Sequence, residues 1–232
     1  MEKLRKFETE EQYLTIKNDI EYPQVSYTEN NEKVWVKEKP ISYIVAKYNI
    51  SEEDVNQNIQ LFANKKCDFH FMVDYYVVDD GTIVYNTHNA ANGINEYHKF
   101  TTSGEHTVTF YININKMIET NTNVDKETID LNNAFDSTQN LISIDFTHFK
   151  DSSLISNVKR MFSYCFGLTS ITFGDKWNSS NITNITHTIA CLDANVIKDF
   201  DNFYKTLNIT NDKGEKLSEN ETLDLMRECV PA

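Results

Sequence analysis

A repeat with a period of 27 residues constrains this chain more than any other feature of its sequence. Apolar residues recur at that spacing in four pairs, namely Phe135 and Phe162, Leu141 and Leu168, Ile144 and Ile171, and Phe146 and Phe173. The pattern predicts a short strand over residues 168–173, followed by a turn at Gly174-Asp175. One such unit cannot bury its apolar edge alone, so successive units must stack into a solenoid.

The segment Asn157–Asn184 carries a specific motif. It contains Asn-Val-x-x-Met-Phe-x-x-Cys-x-x-Leu-Thr-x-Ile and then Trp-Asn-x-Ser-Asn-Ile-Thr-Asn, and it resembles the BspA-type leucine-rich repeat of bacterial surface proteins. The resemblance is looser over residues 131–158 and fades after Ile185. It implies that the Met-Phe, Cys and Leu positions fill the core of each coil. We therefore predict a repeat core of eight residues: Phe135, Leu141, Ile144, Phe162, Cys165, Leu168, Ile171 and Phe173.

Residues 1–40 have the pattern of a small α+β module. Thr9 and Gln12 form a predicted capping box that opens a short helix. Val25–Tyr27 and Val34–Val36 alternate like the two strands of a hairpin. The opening Lys-Leu-Arg-Lys-Phe at residues 3–7, followed by the helix and then by Pro23–Tyr27, resembles the N-terminal part of virion proteins in phages of gut Bacteroidetes, including crAss-like phages. This resemblance implies an anchoring or assembly module. An ordinary terminal cap is the alternative interpretation.

Residues 41–118 are predicted to be mostly β. Apolar side chains alternate over Phe69–Val77 and again over Val108–Ile114, and Asp80-Gly81 supplies a hairpin turn. A short helix is predicted to begin at Ser51, which can cap it. Several short strands separated by turns favour a sandwich. The segment Thr101–Val108 is similar to the last strand of the Ig-like module that often precedes BspA-type repeats, which implies an Ig-like domain here.

After the repeats of residues 119–192, the period changes to that of helices. Apolar residues at 196, 200, 203 and 207 predict an amphipathic helix that Asp193 caps. Ser218 and Glu221 predict a capping box for a second helix. Residues 193–232 would then cover the open end of the solenoid. The predicted fold class is mainly β with α: an N-terminal α+β module, an Ig-like sandwich, a short leucine-rich-repeat solenoid and a helical cap.

Charge excludes some classes of partner. The net charge is −13 and the pI is near 4.9, so we expect no nucleic-acid partner and no binding to anionic lipid. The first residues lack an apolar signal-peptide region, and no run of about 18 apolar residues occurs. We therefore expect neither a secretory signal nor a membrane insertion.

The chain has four cysteines and no Cys-x-x-Cys pair. Cys165 and Cys191 occupy nearly the same position in successive repeats. Buried thiols in the coil core are the favoured interpretation of the cysteines, and a disulfide is the alternative.

No established catalytic motif is present, and we predict no catalytic residue, cofactor or metal site. Four histidines of the β domain, at 70, 88, 98 and 106, are candidate metal ligands, although ordinary hydrogen-bonded histidines are the favoured interpretation. Asp74, Asp79 and Asp80 cluster near a predicted hairpin, where a solvated turn is favoured over a calcium site.

A polar stretch after the repeat strand is the candidate ligand face. Asn178, Asn181 and Asn184 could hydrogen-bond sugars, with Trp177 as a stacking platform. The alternative, which is favoured, is that these side chains bond the backbone of the turns.

The sequence as a whole favours a non-enzymatic phage virion protein, most simply a capsid head fibre or decoration protein. Its expected partners are itself, as a homotrimer, other capsid or virion proteins, and host-surface glycans bound through many weak contacts. Its expected location is the surface of the particle. This function follows from the two resemblances. A bacterial cell-surface leucine-rich-repeat adhesin is the alternative, and an enzyme acting on polysaccharide is a third hypothesis.

Overall fold

The computed structural model describes residues 23–27, 33–37, 42–63, 67–85, 96–114 and 128–229. The chain divides into two units, Met1–Ile41 and Ser42–Ala232. In the first unit, strands β1 (Pro23–Tyr27) and β2 (Lys33–Lys37) pair antiparallel, with Val25 opposite Trp35. The two strands predicted there are therefore present. The capping box predicted at Thr9 lies outside the described residues.

The second unit is mainly β with a few short helices, in agreement with the coarse prediction of fold class. Among its described residues, two 3₁₀ turns, Ser152–Leu154 and Ala194–Val196, interrupt the loops. The strands and α-helices described there are β3 (Ser42–Ile50), β4 (Ile59–Phe62), α1 (Phe69–Met72), β5 (Val73–Val78), β6 (Ile83–Tyr85), β7 (Glu96–His98), β8 (Gly104–Ile112), β9 (Ile129–Asp130), β10 (Leu141–Asp145), β11 (Ile155–Asn157), β12 (Ser170–Thr172), α2 (Phe200–Tyr204) and α3 (Glu219–Arg227).

One mixed sheet crosses most of the second unit, in the strand order β12-β10-β3-β8-β5-β6. Strand β3 shows why it forms. Its even-numbered residues, including Ile44, Ala46 and Tyr48, are buried, because successive side chains of a strand point to opposite faces. The buried Tyr48 hydroxyl donates to the Leu61 carbonyl at 2.7 Å, which satisfies the one polar atom of that ring.

The sheet continues across the boundary predicted at residue 118. Strand β10 pairs antiparallel with β3, placing Ile144 opposite Ala46. Strands β4 and β7 form a separate two-stranded sheet. The described strands of residues 42–112 therefore share their main sheet with residues 141–172 and do not close a sandwich of their own. The edge of β3 would otherwise expose unpaired backbone groups, and β10 covers it.

Parallel backbone hydrogen bonds join segments that are one repeat apart. Strands β10 and β12 are parallel, with Ile144 opposite Ile171. The Phe135 amide donates to the Met161 carbonyl at 2.8 Å, and the Phe162 amide donates to the Thr188 carbonyl at 2.7 Å. Three successive stretches, which we call coils 1, 2 and 3 (residues 129–146, 155–173 and 182–198), thus lie one upon the next. We call these bonds the ladder.

The backbone itself repeats with the same period. Left-handed φ values of 54° to 61° occur at Asn133, Arg160 and His187, which are 27 residues apart. A second series with φ between 59° and 64° follows at positions 137, 164 and 191. These side chains share no chemistry, so the recurrence belongs to the coil geometry. Coil 3 keeps that geometry after Ile185, where the sequence motif fades.

A chain of aromatic contacts shows that the core is continuous. Phe69 of α1 meets Phe135 of coil 1 at 4.8 Å between ring centroids, and Phe135 stacks on Phe162 of coil 2 at 5.5 Å. Farther along, Phe173 meets Phe203 of α2 at 4.8 Å. One core therefore serves the main sheet, the coils and the C-terminal helices.

Three predicted elements are replaced or shortened. The alternation that begins at Phe69 predicts a strand there, but residues 69–72 form α1 and the strand β5 begins only at Val73. The Ser51 hydroxyl does lie 2.7 Å from the Asp54 carboxylate, but only a turn follows, because residues 59–62 are already paired in β4.

The long helix predicted after Asp193 is also interrupted. Asp193 caps a 3₁₀ turn by accepting from the Asn195 amide at 2.8 Å. The helix cannot run on from this turn, because the Lys198 amide donates to the Ile171 carbonyl at 2.9 Å. Helix α2 therefore begins only at Phe200.

The second predicted capping box is confirmed. The Ser218 hydroxyl accepts from the Glu221 amide, and the Glu221 carboxylate accepts from the Ser218 amide at 2.8 Å. Both bonds satisfy donors that a helix start leaves without partners. They define the beginning of α3, which contacts the last coil.

Candidate functional site

The eight residues predicted as the repeat core are all buried. Their exposed fractions range from 0 to 6%: Phe135, Leu141, Ile144, Phe162, Cys165, Leu168, Ile171 and Phe173. The Cys165 thiol lies 2.9 Å from the Phe135 carbonyl, and burial raises the pKa of this thiol to about 12. A thiol with so high a pKa is not a nucleophile at neutral pH. These residues pack the ladder and form no reactive site.

Trp177 is not a surface platform, so this part of the predicted ligand face is wrong. The indole is only 2% exposed and lies 4.6 Å from the Phe173 ring. Its Nε1 donates to the Ser179 hydroxyl at 2.8 Å, which satisfies its single polar atom. Burial of so large a ring is energetically favourable, and it leaves no face of the indole at the surface to stack on a ligand.

The asparagines of the predicted face support the turns of the ladder. The Asn184 side-chain oxygen accepts from the Thr186 amide at 3.1 Å. One repeat earlier, Asn157 accepts from the Lys159 amide at 2.9 Å, and Asp130 one repeat earlier still accepts from the Asn132 amide at 2.7 Å. Each is an Asx turn, recurring every 27 residues. The interpretation that these side chains bond the backbone of the turns therefore accounts for the contacts.

Asn178 and Asn181 also bond to the backbone, the first in an Asx turn and the second across to another segment. Asn178 accepts from the Ser180 amide at 2.9 Å. Asn181 is exposed, and its side-chain nitrogen donates to the Ser153 carbonyl at 2.7 Å. The Asn181 contact joins two neighbouring segments, whereas the Asn178 contact stays within one turn. They leave Asn181 as the most exposed polar group of the four predicted residues.

The aspartates of the β5–β6 turn also have structural partners. Asp79 accepts from the Thr107 amide at 2.8 Å and lies 3.1 Å from Nδ1 of His106. Asp80 accepts from the Thr82 amide at 2.8 Å, and its hydrogen bonds with Thr82 lower the pKa of its carboxyl. The arrangement ties a tight turn to β8.

The histidines of the β domain do not converge on a metal site within the described ranges. No group of three or more His, Cys, Asp or Glu side chains there could hold a metal ion. His106 bridges Asp79 and the Thr102 carbonyl, the latter at 3.0 Å. Burial lowers the pKa of His98, which contacts the Phe100 ring at 4.7 Å. His88 lies outside the described residues.

The cysteines divide into two kinds. Cys67 and Cys165 are buried free thiols, as the favoured interpretation predicted. Cys191 and Cys229 instead form a disulfide, with Cα atoms 5.1 Å apart, so the favoured interpretation is wrong for these two. The position of Cys191 in coil 3 matches that of Tyr164 in coil 2 and not that of Cys165, one residue on, and the matching left-handed φ values show this.

The end of α3 closes the ladder. The amides of His187, Ile189 and Cys191 in coil 3 donate to the carbonyls of Leu225, Met226 and Arg227 at 2.8 to 3.3 Å. The last carbonyls of a helix have no partner within the helix. The last coil of a stack likewise has amides without a following coil. Each set satisfies the other. Sequence patterns predicted that residues 193–232 cover this end, but they gave no signal of the particular donors and acceptors.

Comparison with known proteins finds no family model, no curated protein and no solved structure that matches this chain. Among the parts of the chain that the structure describes, no helix has the length and apolar character needed to span a membrane.

Proposed function

We propose that this chain is a non-enzymatic structural protein on the surface of a tailed-phage particle, a capsid head fibre or a decoration protein. In this proposal, residues 1–40 attach it to the particle, and the second unit projects outward as a scaffold built on a short leucine-rich-repeat solenoid. Its copies form a homotrimer and hold host-surface glycans through many weak contacts.

The observation that carries the proposal is the ladder. Backbone bonds join coils 1 to 3, and left-handed residues recur at their turns. The side chains of the repeat core are buried between the coils and pack them together. Such a stack is rigid, and its exposed edges are available for contact along its whole length. That is the physical requirement of a display module. The resemblance of residues 1–40 to phage virion proteins is the reason for assigning the chain to a phage particle.

A bacterial cell-surface adhesin is the second candidate, and the disulfide favours it. Disulfides form and persist in oxidising surroundings such as the cell exterior. The bond between Cys191 and Cys229 fastens the chain just beyond α3 to coil 3, which suits a protein exposed outside the cytoplasm. A phage particle released by lysis meets the same surroundings later.

The location of the chain decides between the two candidates. Antibodies raised against residues 42–232 should label purified phage particles in electron microscopy, in a regular pattern set by the symmetry of the capsid or tail. Labelling of the envelopes of uninfected cells instead would favour the adhesin. Labelling of neither would refute surface display.

The mass in solution tests the assembly. The full chain should be a trimer, and a chain that begins at Ser42 should be a monomer if residues 1–41 assemble it. A monomeric full chain would contradict the trimer and would favour a decoration protein that binds the capsid singly. A truncated chain that remains trimeric would move the assembly contacts to the second unit.

A further inference from the structure

Phe166 is an exposed aromatic residue that the repeat does not require. Its side chain is 63% exposed, and its ring contacts that of Tyr164 at 6.1 Å between centroids. The corresponding residues of the neighbouring coils are Gln139 and Asp193, both exposed and polar. The core of coil 2 is already filled by the buried residues Cys165 and Leu168 on either side. Packing therefore does not explain a phenylalanine at this position.

The ring borders a cleft of about 340 Å³, near the lower end of the range for small-ligand sites, about 300–1,000 Å³. One wall is Leu168 and Thr169 of coil 2, and the other is the segment 191–196 with Lys198 of coil 3. The cleft thus lies between two successive coils of the ladder.

The walls of the cleft are held in place by the backbone. The Lys198 amide donates to the Ile171 carbonyl at 2.9 Å, and the Leu192 amide donates to the Ile189 carbonyl at 3.0 Å. The disulfide between Cys191 and Cys229 anchors the same segment to the residues just beyond α3. A cleft fixed in this way is preorganised, so a ligand that enters it loses little affinity to the ordering of the protein.

The polar groups that face the cleft keep hydrogen-bonding capacity. Asp193 uses one carboxylate oxygen to accept from the Asn195 amide at 2.8 Å, and its second oxygen can accept another bond. Lys198 donates to the Asn195 carbonyl at 2.8 Å, and an ammonium group has three donors. The Thr169 hydroxyl donates to the Ile142 carbonyl at 3.0 Å, so its oxygen can still accept.

This combination fits one class of ligand. A pyranose ring presents an apolar C–H face, which suits the face of an aromatic ring, and a rim of hydroxyl groups that both donate and accept. The cleft offers an exposed phenyl ring, a carboxylate acceptor and an ammonium donor. The single positive charge of Lys198 is balanced by Asp193, and the chain has a net charge of −13. Acidic sugars are therefore disfavoured.

We propose that the cleft beside Phe166 is a binding subsite for a neutral pyranose, with Phe166 as the apolar platform and Asp193 and Lys198 as the groups that orient the hydroxyls. The inference rests on the proposed function in one respect: the proposed function includes glycan binding, and the cleft is the place on the chain where that binding occurs. The site is shallow and takes one sugar ring. Its affinity is accordingly low in a single copy and rises when several copies bind together.

The test uses the full ¹⁵N-labelled chain and three probes: methyl α-mannopyranoside, methyl β-glucopyranoside and methyl β-galactopyranoside. At least one probe should shift the amide resonances of Thr169 and of residues 191–198 in a saturable manner. The expected Kd is on the order of 1 mM, as for a ligand of about a dozen heavy atoms. Phe166→Ala should weaken binding about tenfold or more.

Two further variants separate binding from folding. Lys176→Ala changes an exposed residue that does not line the cleft and should leave the Kd unchanged. Asp193→Asn keeps an acceptor for the Asn195 amide while removing the charge, and should weaken binding with an unchanged amide spectrum elsewhere. All three variants should retain the melting temperature of the parent within a few degrees, because the three side chains are exposed.

Three outcomes would overturn the proposal: no saturable shift with any probe, shifts confined to other parts of the chain, or equal affinity in Phe166→Ala and the parent. Loss of self-association in Phe166→Ala, with sugar binding unchanged, would also overturn it and would make the ring a contact between copies. These measurements use the purified chain. Their failure is therefore distinct from a failure of the particle-labelling experiment.

Discussion

Ile171 gives the sharpest test of the ladder as a packed structure. The side chain is fully buried in β12 and lies in the middle of a column, opposite Ile144 of coil 1 and bridged to Ile197 of coil 3. Ile171→Ala removes three carbon groups. At about 0.8 kcal/mol for each, the lost transfer free energy is roughly 2.4 kcal/mol.

The void left behind adds to that loss. Coils on both sides hold Ile144 and Ile197 in place through backbone bonds, so the column cannot collapse freely. A residual cavity of about 50 Å³ adds about 1.2 kcal/mol. We therefore expect Ile171→Ala to lower the free energy of unfolding by about 3.5 kcal/mol.

Urea unfolding, followed by tryptophan fluorescence, measures this change. With a slope of about 2–3 kcal/mol per molar urea, the midpoint should fall by roughly 1–2 M. Ser170→Ala is the matched control, because Ser170 is the preceding residue of β12, is half-buried and points to the opposite face. It should change stability by about 0.5 kcal/mol or less. A loss below about 1 kcal/mol in Ile171→Ala, or equal losses in both variants, would refute the packed column.

Three further predictions concern turns, pH and thiols. Gly174→Ala should destabilise the protein more than Gly81→Ala, because both glycines have positive φ but only the added Cβ at Gly174 meets another atom, 2.9 Å from the Thr147 backbone; urea unfolding compares them. Glu96→Gln should stabilise the protein more at pH 7 than at pH 4, because burial raises the pKa of the Glu96 carboxyl in the folded state, and thermal melting across that pH range measures this. Without reductant, a thiol reagent should react with two groups after unfolding and with four after reduction, since the other two cysteines are in the disulfide.

The sign of the pH effect follows from linkage. A carboxyl whose pKa is higher in the folded than in the unfolded protein binds its proton more tightly when folded. Raising the pH from the ordinary glutamate pKa through the raised one therefore reduces stability. The glutamine of the variant carries no charge, and the Tyr76 hydroxyl, 3.2 Å from the Glu96 carboxylate in the parent, can still donate to its side-chain oxygen. A parent and variant with identical pH profiles would contradict this account.

The glycine prediction and the thiol prediction each contain their own control. Equal losses in the two glycine variants would mean that the coil shifts to admit the new methyl group at no cost. Four reactive thiols after unfolding without reductant would mean that the disulfide is absent.

Much of the second unit follows from sequence because its signals are local or periodic. The 27-residue spacing predicted which residues share a column, and Ile144 does lie opposite Ile171. The capping box at Ser218 predicted the start of α3. Alternation predicted the second half of β8, from Val108, and the greater part of β5. Each of these patterns acts within one element or between equivalent residues of a repeat, so no knowledge of distant contacts is needed.

The remaining features depend on contacts between distant parts of the chain. Trp177 looks like a surface residue among polar neighbours, yet Phe173 and Phe203 enclose it. The amphipathic pattern from Val196 onward has the period of a helix, but Lys198 bonds to coil 2 and delays the helix. The pairing of β10 with β3 joins segments that are far apart in the chain, and no local pattern encodes which strand covers an open edge.

The direction of the ladder explains why so short a stack is closed at both ends. Over residues 131–137 and 158–164, which we call the turn arcs, amides of coil 1 donate to carbonyls of coil 2, and those of coil 2 donate to coil 3. Along the strands the bonds also run the other way, since the Thr169 amide donates to Ile142 and the Lys198 amide donates to Ile171. In the turn arcs, coil 1 therefore needs donors for its carbonyls, and coil 3 needs acceptors for its amides. At the first end, the Ala63 amide donates to the Ala134 carbonyl at 2.8 Å, and the Gln60 side chain donates to the Asp136 carbonyl at 3.0 Å.

At the other end, the stack needs acceptors, and the C-terminal turn of a helix is the element that presents a cluster of them. Helix α3 supplies the Leu225, Met226 and Arg227 carbonyls to coil 3. A helix arriving by its N-terminus would present amide donors to the amides of His187, Ile189 and Cys191 and would leave both sets without acceptors. In the turn arcs, the polarity of the backbone hydrogen bonds therefore suits a helix that ends on the last coil.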